Sequence, residues 1–149
     1  MRVNEVMSQA VTTISVSDSA HTSVARMVAR KIRHLPVVDA RGTLVGVLTD
    51  RDLRHYLFGP AVFKRIGSVS ADAVLKAVTV NDLMSSPAIS VGPDDELETA
   101  VGTMLRDKIG SLPVVDKERV IGIITETDLL RRVVTAGSPE CAEIVVPFP

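Results

Sequence analysis

An internal repeat restricts the fold of this chain more than any other feature. The segment VNEVMS at Val3–Ser8 returns as VNDLMS at Val80–Ser85, and KIRHLPVVD at Lys31–Asp39 returns as KIGSLPVVD at Lys108–Asp116. The partners lie 77 positions apart (3 to 80) up to Asp39 and 76 apart beyond it, because ARGTLVG is one residue longer than KERVIG. Surface turns tolerate such a deletion. Two copies predict a pseudo-symmetric pair, since a solenoid needs at least three units.

Each copy has the pattern of an α/β unit. A short helical turn is expected at VNEVM and VNDLM, followed by alternating residues that predict a strand at TTISV and AISV. Asp18 and either Asp94 or Asp95 stand where the N-cap of the next helix is expected. LPVVD and the branched segment after it predict two more strands, and a helix closes the unit. The resulting turn-β-α-β-β-α order is typical of an α/β fold with helices covering apolar strands.

Apolar residues at helical spacing identify the first helix of each copy. They are Ala20, Val24, Met27 and Val28 in the first copy, and Leu97, Val101, Met104 and Leu105 in the second.

The repeat also divides the chain. We predict the first repeat over residues 1–57, a connector over 58–79, the second repeat over 80–135 and a tail over 136–149. Gly59 and Pro60 are expected to end a helix, and Ser70 to cap a short one over Ala71–Ala77. The connector is too apolar for a flexible linker, so we expect it to pack on the pair or on a partner chain. The tail is expected to be loosely held, unless Ile144–Val146 docks.

Composition excludes several classes of protein. The chain has 149 residues, of which 46% are hydrophobic and 23% charged, with a net charge of −1. This composition is globular and offers no basic field for nucleic acid or an anionic membrane. The one cysteine, Cys141, cannot form an internal disulfide and is interpreted as an incidental thiol, which fits a reducing compartment. No apolar run has the length of a signal peptide or a membrane span, so we expect a cytoplasmic protein.

Three motifs occur in order in both copies: VMS or LMS, then LPVVD, then G-x-x-T-x-x-D. The last is GVLTDRD at Gly46–Asp52 and GIITETD at Gly122–Asp128. With these motifs, residues 1–134 apart from the connector resemble a tandem pair of the cystathionine-β-synthase (CBS) domain family. The resemblance implies two β-α-β-β-α repeats with pseudo-twofold symmetry, whose sheets pack face to face and leave two clefts. It also implies adenosine-containing ligands, above all AMP, ADP or ATP, with S-adenosylmethionine or NAD as alternatives.

The resemblance also assigns positions to such a ligand. In the family, the aspartate of Thr-x-x-Asp binds the ribose, because a carboxylate accepts hydrogen bonds from both hydroxyls. The threonine contacts the ribose or a phosphate. These positions are Thr49, Asp52, Thr125 and Asp128. The walls for the base are Thr12, Thr13 and Ile32 in the first copy, and Ile89, Ser90 and Ile109 in the second.

Thr-x-x-Asp has a second interpretation. A threonine that ends a strand and an aspartate that opens a helix are also typical of N-terminal capping. Both functions can coexist, because a carboxylate has several acceptor positions. The sequence leaves both open.

The copies differ where a phosphate is expected. Arg33 and His34 precede LPVVD in the first copy, whereas Gly110 and Ser111 hold these places in the second. Arg51 also has a neutral counterpart. Arginine can bind phosphate in a bidentate manner and histidine can donate a hydrogen bond, so a phosphate site that uses these first-copy residues is predicted, in either of the two clefts, with solvated side chains as the alternative. The second site is expected to take a less charged ligand, to use backbone amides, or to be empty.

The motifs that the sequence contains, and the catalytic motifs that it lacks, lead to three hypotheses on function. No nucleophile with a base, phosphate loop or paired metal-ligand spacing is found, and His21, His34 and His55 do not share a helix face at ligand spacing. We therefore predict a non-enzyme with no metal and no catalytic cofactor. The first hypothesis is a sensor that binds an adenine nucleotide and regulates a partner protein, acting as a homodimer. The second is an interaction scaffold with vestigial clefts, and the third, an enzyme, has no catalytic residue to name.

Overall fold

The computed structural model describes residues 1–67 and 69–137. The predictions for Cys141 and for Ile144–Val146 therefore lie outside the described residues. The first copy contains a 3₁₀ helix Val3–Glu5, β1 Ile14–Ser15, α1 Ala20–Arg30, β2 His34–Val38, β3 Leu44–Thr49 and α2 Asp50–Phe58. The connector contains α3 Pro60–Phe63 and α4 Ala71–Ala77. The second copy contains α5 Val80–Leu83, α6 Leu97–Asp107, β4 Ser111–Asp116, β5 Arg119–Thr125 and α7 Glu126–Gly137.

The predicted mixed α/β class with two repeats is confirmed. In the first copy β1 pairs with β2 in parallel, and β2 pairs with β3 antiparallel. In the second copy β4 and β5 form a two-stranded sheet. The strand predicted at AISV is reduced there to a single parallel bridge between Val91 and Val114.

The chain forms two compact units that do not coincide with the two copies. Unit I comprises Val11–Ile89 and Lys117–Val120, and unit II comprises Met1–Ala10, Ser90–Asp116 and, within the described residues, 121–137. The opening segment of each copy thus belongs to the unit that is built mainly from the other copy.

In unit I, the opening segment of the second copy adds to the edge of β3. The Ser85 amide donates to the Val47 carbonyl (3.0 Å), and the Val47 amide donates to the Ser85 carbonyl (3.1 Å). Val80, at the start of the same segment, is fully buried in the unit I core. That core also contains Ile14, Leu35, Val37, Leu48, Leu53, Leu75 and Val78.

Unit II repeats this arrangement with the opening segment of the first copy. The Ser8 amide donates to the Ile123 carbonyl (2.8 Å), and the Ile123 amide donates to the Ser8 carbonyl (3.0 Å). Val3 is fully buried. The surrounding core contains Val91, Ala100, Met104, Leu112, Val114 and Ile124.

The glycine of each G-x-x-T-x-x-D motif makes room for these added segments. A Cβ atom at Gly46 would lie 2.7 Å from both the Met84 sulfur and the Ser85 carbonyl oxygen. At Gly122 it would lie 2.8 Å from the Met7 sulfur, with the carbonyl oxygen of the next residue similarly close. Glycine inside a strand often marks such a close approach of another backbone. The motif glycine and the methionine-serine pair of the opening segment are therefore two halves of one contact.

The predicted N-cap of α1 is wrong by one residue. Ser19 caps this helix, since its hydroxyl accepts a hydrogen bond from the Thr22 amide (3.1 Å). The Asp18 carboxylate instead accepts from the Ser15 amide (3.1 Å) and closes the turn before the helix. A carboxylate beside a serine can serve either turn, and here the shorter serine side chain holds the cap.

The predicted cap of α6 is also wrong. Neither Asp94 nor Asp95 caps the helix, which begins at Leu97 after Glu96 in the cap position. The Asp95 carboxylate accepts from the Gly92 amide (2.7 Å), which is the same turn closure as in the first copy.

The apolar stripes of the two helices are only partly buried. Met27 and Met104 lie in the cores, but Val28 and Leu105, which occupy equivalent positions, are 73% and 74% exposed. Helical spacing alone did not separate these positions from the buried ones.

The connector packs on unit I through α4, as one of the two predicted alternatives stated. The Ser70 hydroxyl caps α4, and Leu75 lies in the unit I core. On the surface, the Asp72 carboxylate lies 2.8 Å from His21 Nε2 of α1. A hydrogen bond from Lys76, aided by the charges of Lys76 and His21, lowers the pKa of Asp72.

We expect Gly46→Ala and Gly122→Ala each to lower the free energy of unfolding by about 1–3 kcal/mol, because overpacking a filled contact costs this much. Gly102→Ala is the matched control, since a Cβ atom there meets nothing within 4 Å in the middle of α6. It should leave stability unchanged or raise it by up to about 1 kcal/mol. Urea unfolding followed by circular dichroism measures all three. Wild-type stability in Gly46→Ala would contradict the proposed contact.

Two fragments of equal length test the exchange of opening segments. Val11–Ile89 contains every member of the unit I core, whereas Met1–Thr79 lacks Val80 and the Ser85 pairing and carries Val3 without its partners. We expect a cooperative urea transition for Val11–Ile89 and none for Met1–Thr79, because loss of core contacts is costly. If Met1–Thr79 is the more stable fragment, the exchange does not contribute to stability.

Candidate functional site

The end of β3 and the start of α2 form the first candidate site. The Thr49 amide donates to Asp52 Oδ2 (2.8 Å), and the Asp52 amide donates to Thr49 Oγ1 (3.2 Å). These reciprocal bonds are a capping box, which satisfies two amides that the first helical turn leaves without partners. Both side chains are half-buried.

The end of β5 and the start of α7 repeat this geometry. The Thr125 amide and hydroxyl donate to Asp128 Oδ2 at 2.9 Å and 2.7 Å. The Asp128 amide donates to Thr125 Oγ1 (3.3 Å). The capping interpretation of Thr-x-x-Asp is therefore confirmed in both copies.

Each capping carboxylate keeps an oxygen for a further partner. Within the described ranges, no hydrogen bond reaches Oδ1 of Asp52. Oδ1 of Asp128 lies 3.8 Å from Arg131 Nη1, outside hydrogen-bond distance. Capping thus leaves in place the acceptor that a ribose hydroxyl needs.

A third Thr-x-x-Asp opens α5, where no ligand was predicted. The Thr79 amide donates to Asp82 Oδ2 (3.2 Å), as does the Thr79 hydroxyl (2.9 Å). Because the same box forms without the other site positions, capping geometry by itself does not mark a ligand site.

The fold brings the predicted phosphate positions of the first copy to the capping box. His34 pairs with Thr49 in the β2–β3 register, and the Asp50 amide donates to the Arg33 carbonyl (3.1 Å). Arg33 is exposed and His34 half-buried, and Arg51 is exposed on the first turn of α2. Neither Arg33 nor Arg51 forms an ion pair with the residues that the structure describes. Their charge is available to an anion.

The second copy has the same backbone frame without the cations. The Glu126 amide donates to the Gly110 carbonyl (3.1 Å), which places Gly110 and Ser111 beside the Thr125–Asp128 box. Ser111 is only 6% exposed. The residue at the position of Arg51 is Thr127. This junction therefore offers hydroxyl and backbone groups, but it has no arginine or histidine at these positions.

The residues predicted to line the base of the ligand differ in their burial. Ile32 and Ile109 are half-buried against the two cores, and their amides donate to the carbonyls of Met27 (3.0 Å) and Met104 (3.1 Å). Ile89 is the last residue of the main segment of unit I and is 41% exposed, whereas Ser90 is exposed and opens a segment of unit II. The chain thus passes from one unit to the other between these two positions.

Thr12 and Thr13 lead into β1 and are half-buried. The Thr13 carbonyl accepts a hydrogen bond from Arg26 Nη1 (2.8 Å), and the same guanidinium nitrogen lies 3.6 Å from the Asp18 carboxylate. Arg26 therefore fixes the segment that carries both threonines. Sequence reasoning did not identify it, and the repeat gives no signal, because its equivalent in the second copy is Thr103.

Within residues 1–67 and 69–137, no group of three or more histidine, cysteine or acidic residues could hold a metal ion. No helix in the same ranges is long and apolar enough to cross a bilayer.

Comparison with known proteins agrees with the repeated fold. The family model for the CBS domain matches twice, at residues 3–59 and 80–135. The chain belongs to the CBS domain family and carries two of its domains.

A CBS domain-containing protein of Dictyostelium discoideum is 30% identical over 138 residues, which are 92% of this chain and 94% of that protein. Other relatives are longer: the chain spans 23% of the homoserine O-acetyltransferase of Methanococcoides burtonii, at 33% identity. Among solved structures, CBSX2 in complex with AMP has a TM-score of 0.74 and 28% identity, covering 92% of this chain and 99% of that one. The CBS domain pair of protein MJ0100, in complex with 5′-methylthioadenosine and S-adenosylmethionine, has a TM-score of 0.70 and 25% identity, covering 89% and 99%.

Proposed function

We propose that this protein is a regulatory module that binds an adenine nucleotide at the junction of β3 and α2 and communicates with a partner chain. The observation that carries the proposal is the gathering of Arg33, His34 and Arg51 around the half-buried Thr49–Asp52 box. A carboxylate oxygen without a hydrogen-bond partner in the described chain belongs to the same junction as Arg33 and Arg51, which form no ion pair with the described residues. A nucleoside phosphate needs both groups, one for the ribose and one for the phosphate.

The two related structures support the choice of ligand class. CBSX2 is described with AMP, and the MJ0100 pair with 5′-methylthioadenosine and S-adenosylmethionine, so all three ligands contain adenosine. In this chain, AMP, ADP or ATP suits the cationic junction of the first copy. The junction of the second copy has neutral residues at the corresponding positions and suits a ligand without phosphate, such as S-adenosylmethionine or adenosine.

Regulation follows from differential binding. A ligand changes the arrangement of a protein only if it binds one arrangement more tightly than another. The module itself needs no catalytic residue for this role, so we propose that it is not an enzyme. Its self-association as a homodimer and its cytoplasmic location stay predictions from the sequence.

Calorimetry with AMP tests the ribose role of Asp52. Asp52→Ala should weaken AMP binding by about tenfold or more, since a hydrogen bond to a charged group contributes about 1.5–3 kcal/mol. Asp82→Ala is the matched control, because it removes the same kind of cap at α5. Both variants should lose about 1 kcal/mol of stability, but only Asp52→Ala should lose affinity. Equal affinity in both variants would favour the scaffold with vestigial clefts, as would the absence of any thermal shift with millimolar AMP, ATP, S-adenosylmethionine or NAD.

Comparison of AMP with adenosine tests the phosphate role of Arg33 and His34. The double variant Arg33→Ala, His34→Ala should weaken AMP by about tenfold or more, because charged hydrogen bonds to phosphate are lost, and should leave adenosine nearly unchanged. Arg41→Ala, an exposed arginine in the turn between β2 and β3, is the control and should affect neither ligand. An equal loss for adenosine would overturn the phosphate assignment.

A further inference from the structure

The C-terminal end of α2 and the following α3 expose two neighbouring aromatic side chains. Phe58 is 68% exposed and Phe63 is 59% exposed, and their ring centroids lie 6.1 Å apart with the planes inclined by 37°. The Phe63 amide donates to the Gly59 carbonyl (2.8 Å), so the tight turn after α2 holds the rings together. Paired exposed aromatics are costly in water and are enriched where proteins bind each other.

Basic residues flank this pair along the chain. Arg54 and His55 precede Phe58 by one helical turn on the exposed face of α2, and Lys64 directly follows Phe63. Arg54 is paired with Asp50 (3.2 Å), whereas Lys64 forms no ion pair with the described part of the chain. Residues 53–67 contain no aspartate or glutamate. We call Arg54, His55, Phe58, Phe63 and Lys64 the connector surface.

We propose that the connector surface binds an acidic peptide segment of a partner protein, with an apolar side chain of that segment seated on Phe58 and Phe63. Charge selects this occupant. A second copy of the same surface would place arginine against arginine and lysine against lysine, which is unfavourable. A membrane or nucleic acid requires a larger basic field than a chain of net charge −1 with one small patch provides. Carboxylates beside an apolar side chain match the cations and the two rings of the patch.

The second copy does not repeat the connector surface. The positions of Arg54, His55 and Phe58 are taken by Leu130, Arg131 and Val134 in α7, so the second copy has no aromatic residue at the position of Phe58. One peptide per chain is therefore expected.

Helix α2 also links this surface to the nucleotide junction, because its nine residues run from the Thr49–Asp52 box to Phe58. The inference rests on the proposed function only in that a regulatory module needs a partner chain.

The test is selection from a displayed library of random 16-residue peptides on the full chain without nucleotide. Enriched peptides should combine several acidic residues with an aromatic or large aliphatic one. Synthetic copies of the enriched peptides should bind at least tenfold more weakly to the double variant Phe58→Ser, Phe63→Ser. They should lose as much affinity for the double variant Arg54→Glu, Lys64→Glu. Val28→Ser is the matched control, since Val28 is a similarly exposed apolar residue of unit I, and it should bind normally. Circular dichroism confirms that each variant is folded.

Three binding results would overturn the proposal: no acidic and apolar consensus, a failure of either double variant to weaken binding, or preferential binding to vesicles of phosphatidylcholine and phosphatidylserine. Dissociation of a wild-type oligomer by Phe58→Ser, Phe63→Ser, seen in sedimentation, would assign the surface to a second copy instead and would also overturn it. The selection contains no nucleotide, so its failure is independent of the nucleotide-binding experiments.

Discussion

The backbone pairing between each opening segment and a strand of the other copy is the constraint on which the rest of the structure depends. Ser85 extends the sheet at Val47 in unit I, and Ser8 does so at Ile123 in unit II. Each segment also supplies a fully buried valine to the core that receives it. Each copy therefore lacks part of its own core, and the chain cannot be divided at the boundary of the repeat without exposing apolar surface.

This constraint explains why motifs far apart in the sequence occur together. The glycine of G-x-x-T-x-x-D leaves space for a methionine that lies 38 positions away in one case (46 to 84) and 115 in the other (7 to 122), and for the carbonyl of the serine that follows it. Three residues after that glycine, the same strand ends in the threonine that caps the next helix. The strand thus has one position fixed by packing and one fixed by capping. Folding alone requires both residues, whether or not a ligand binds.

The sequence predicted the order of elements because hydrophobic periodicity and the repeat agree at almost every position. It placed the connector helix Ala71–Ala77 correctly from Ser70 and from the apolar residues that follow. It did not reveal the exchange of opening segments, since pairing between distant segments leaves no local pattern. It also misplaced the caps of α1 and α6, because aspartate suits both a turn and an N-cap, and only the three-dimensional turn decides between them.

For the candidate site, the sequence identified which positions differ between the copies, and the fold places these positions together. The β2–β3 register and the bond from Asp50 to Arg33 join the residues before LPVVD to the capping box, a proximity that motif spacing cannot give. The third box at Thr79–Asp82 then separates the two functions of the motif. That box forms at a position with no predicted ligand residue, whereas the Thr49–Asp52 box shares its strand–helix junction with Arg33, His34 and Arg51. A helix cap needs none of these cations, and we therefore propose an anionic ligand, rather than folding, as the reason for their place at this box.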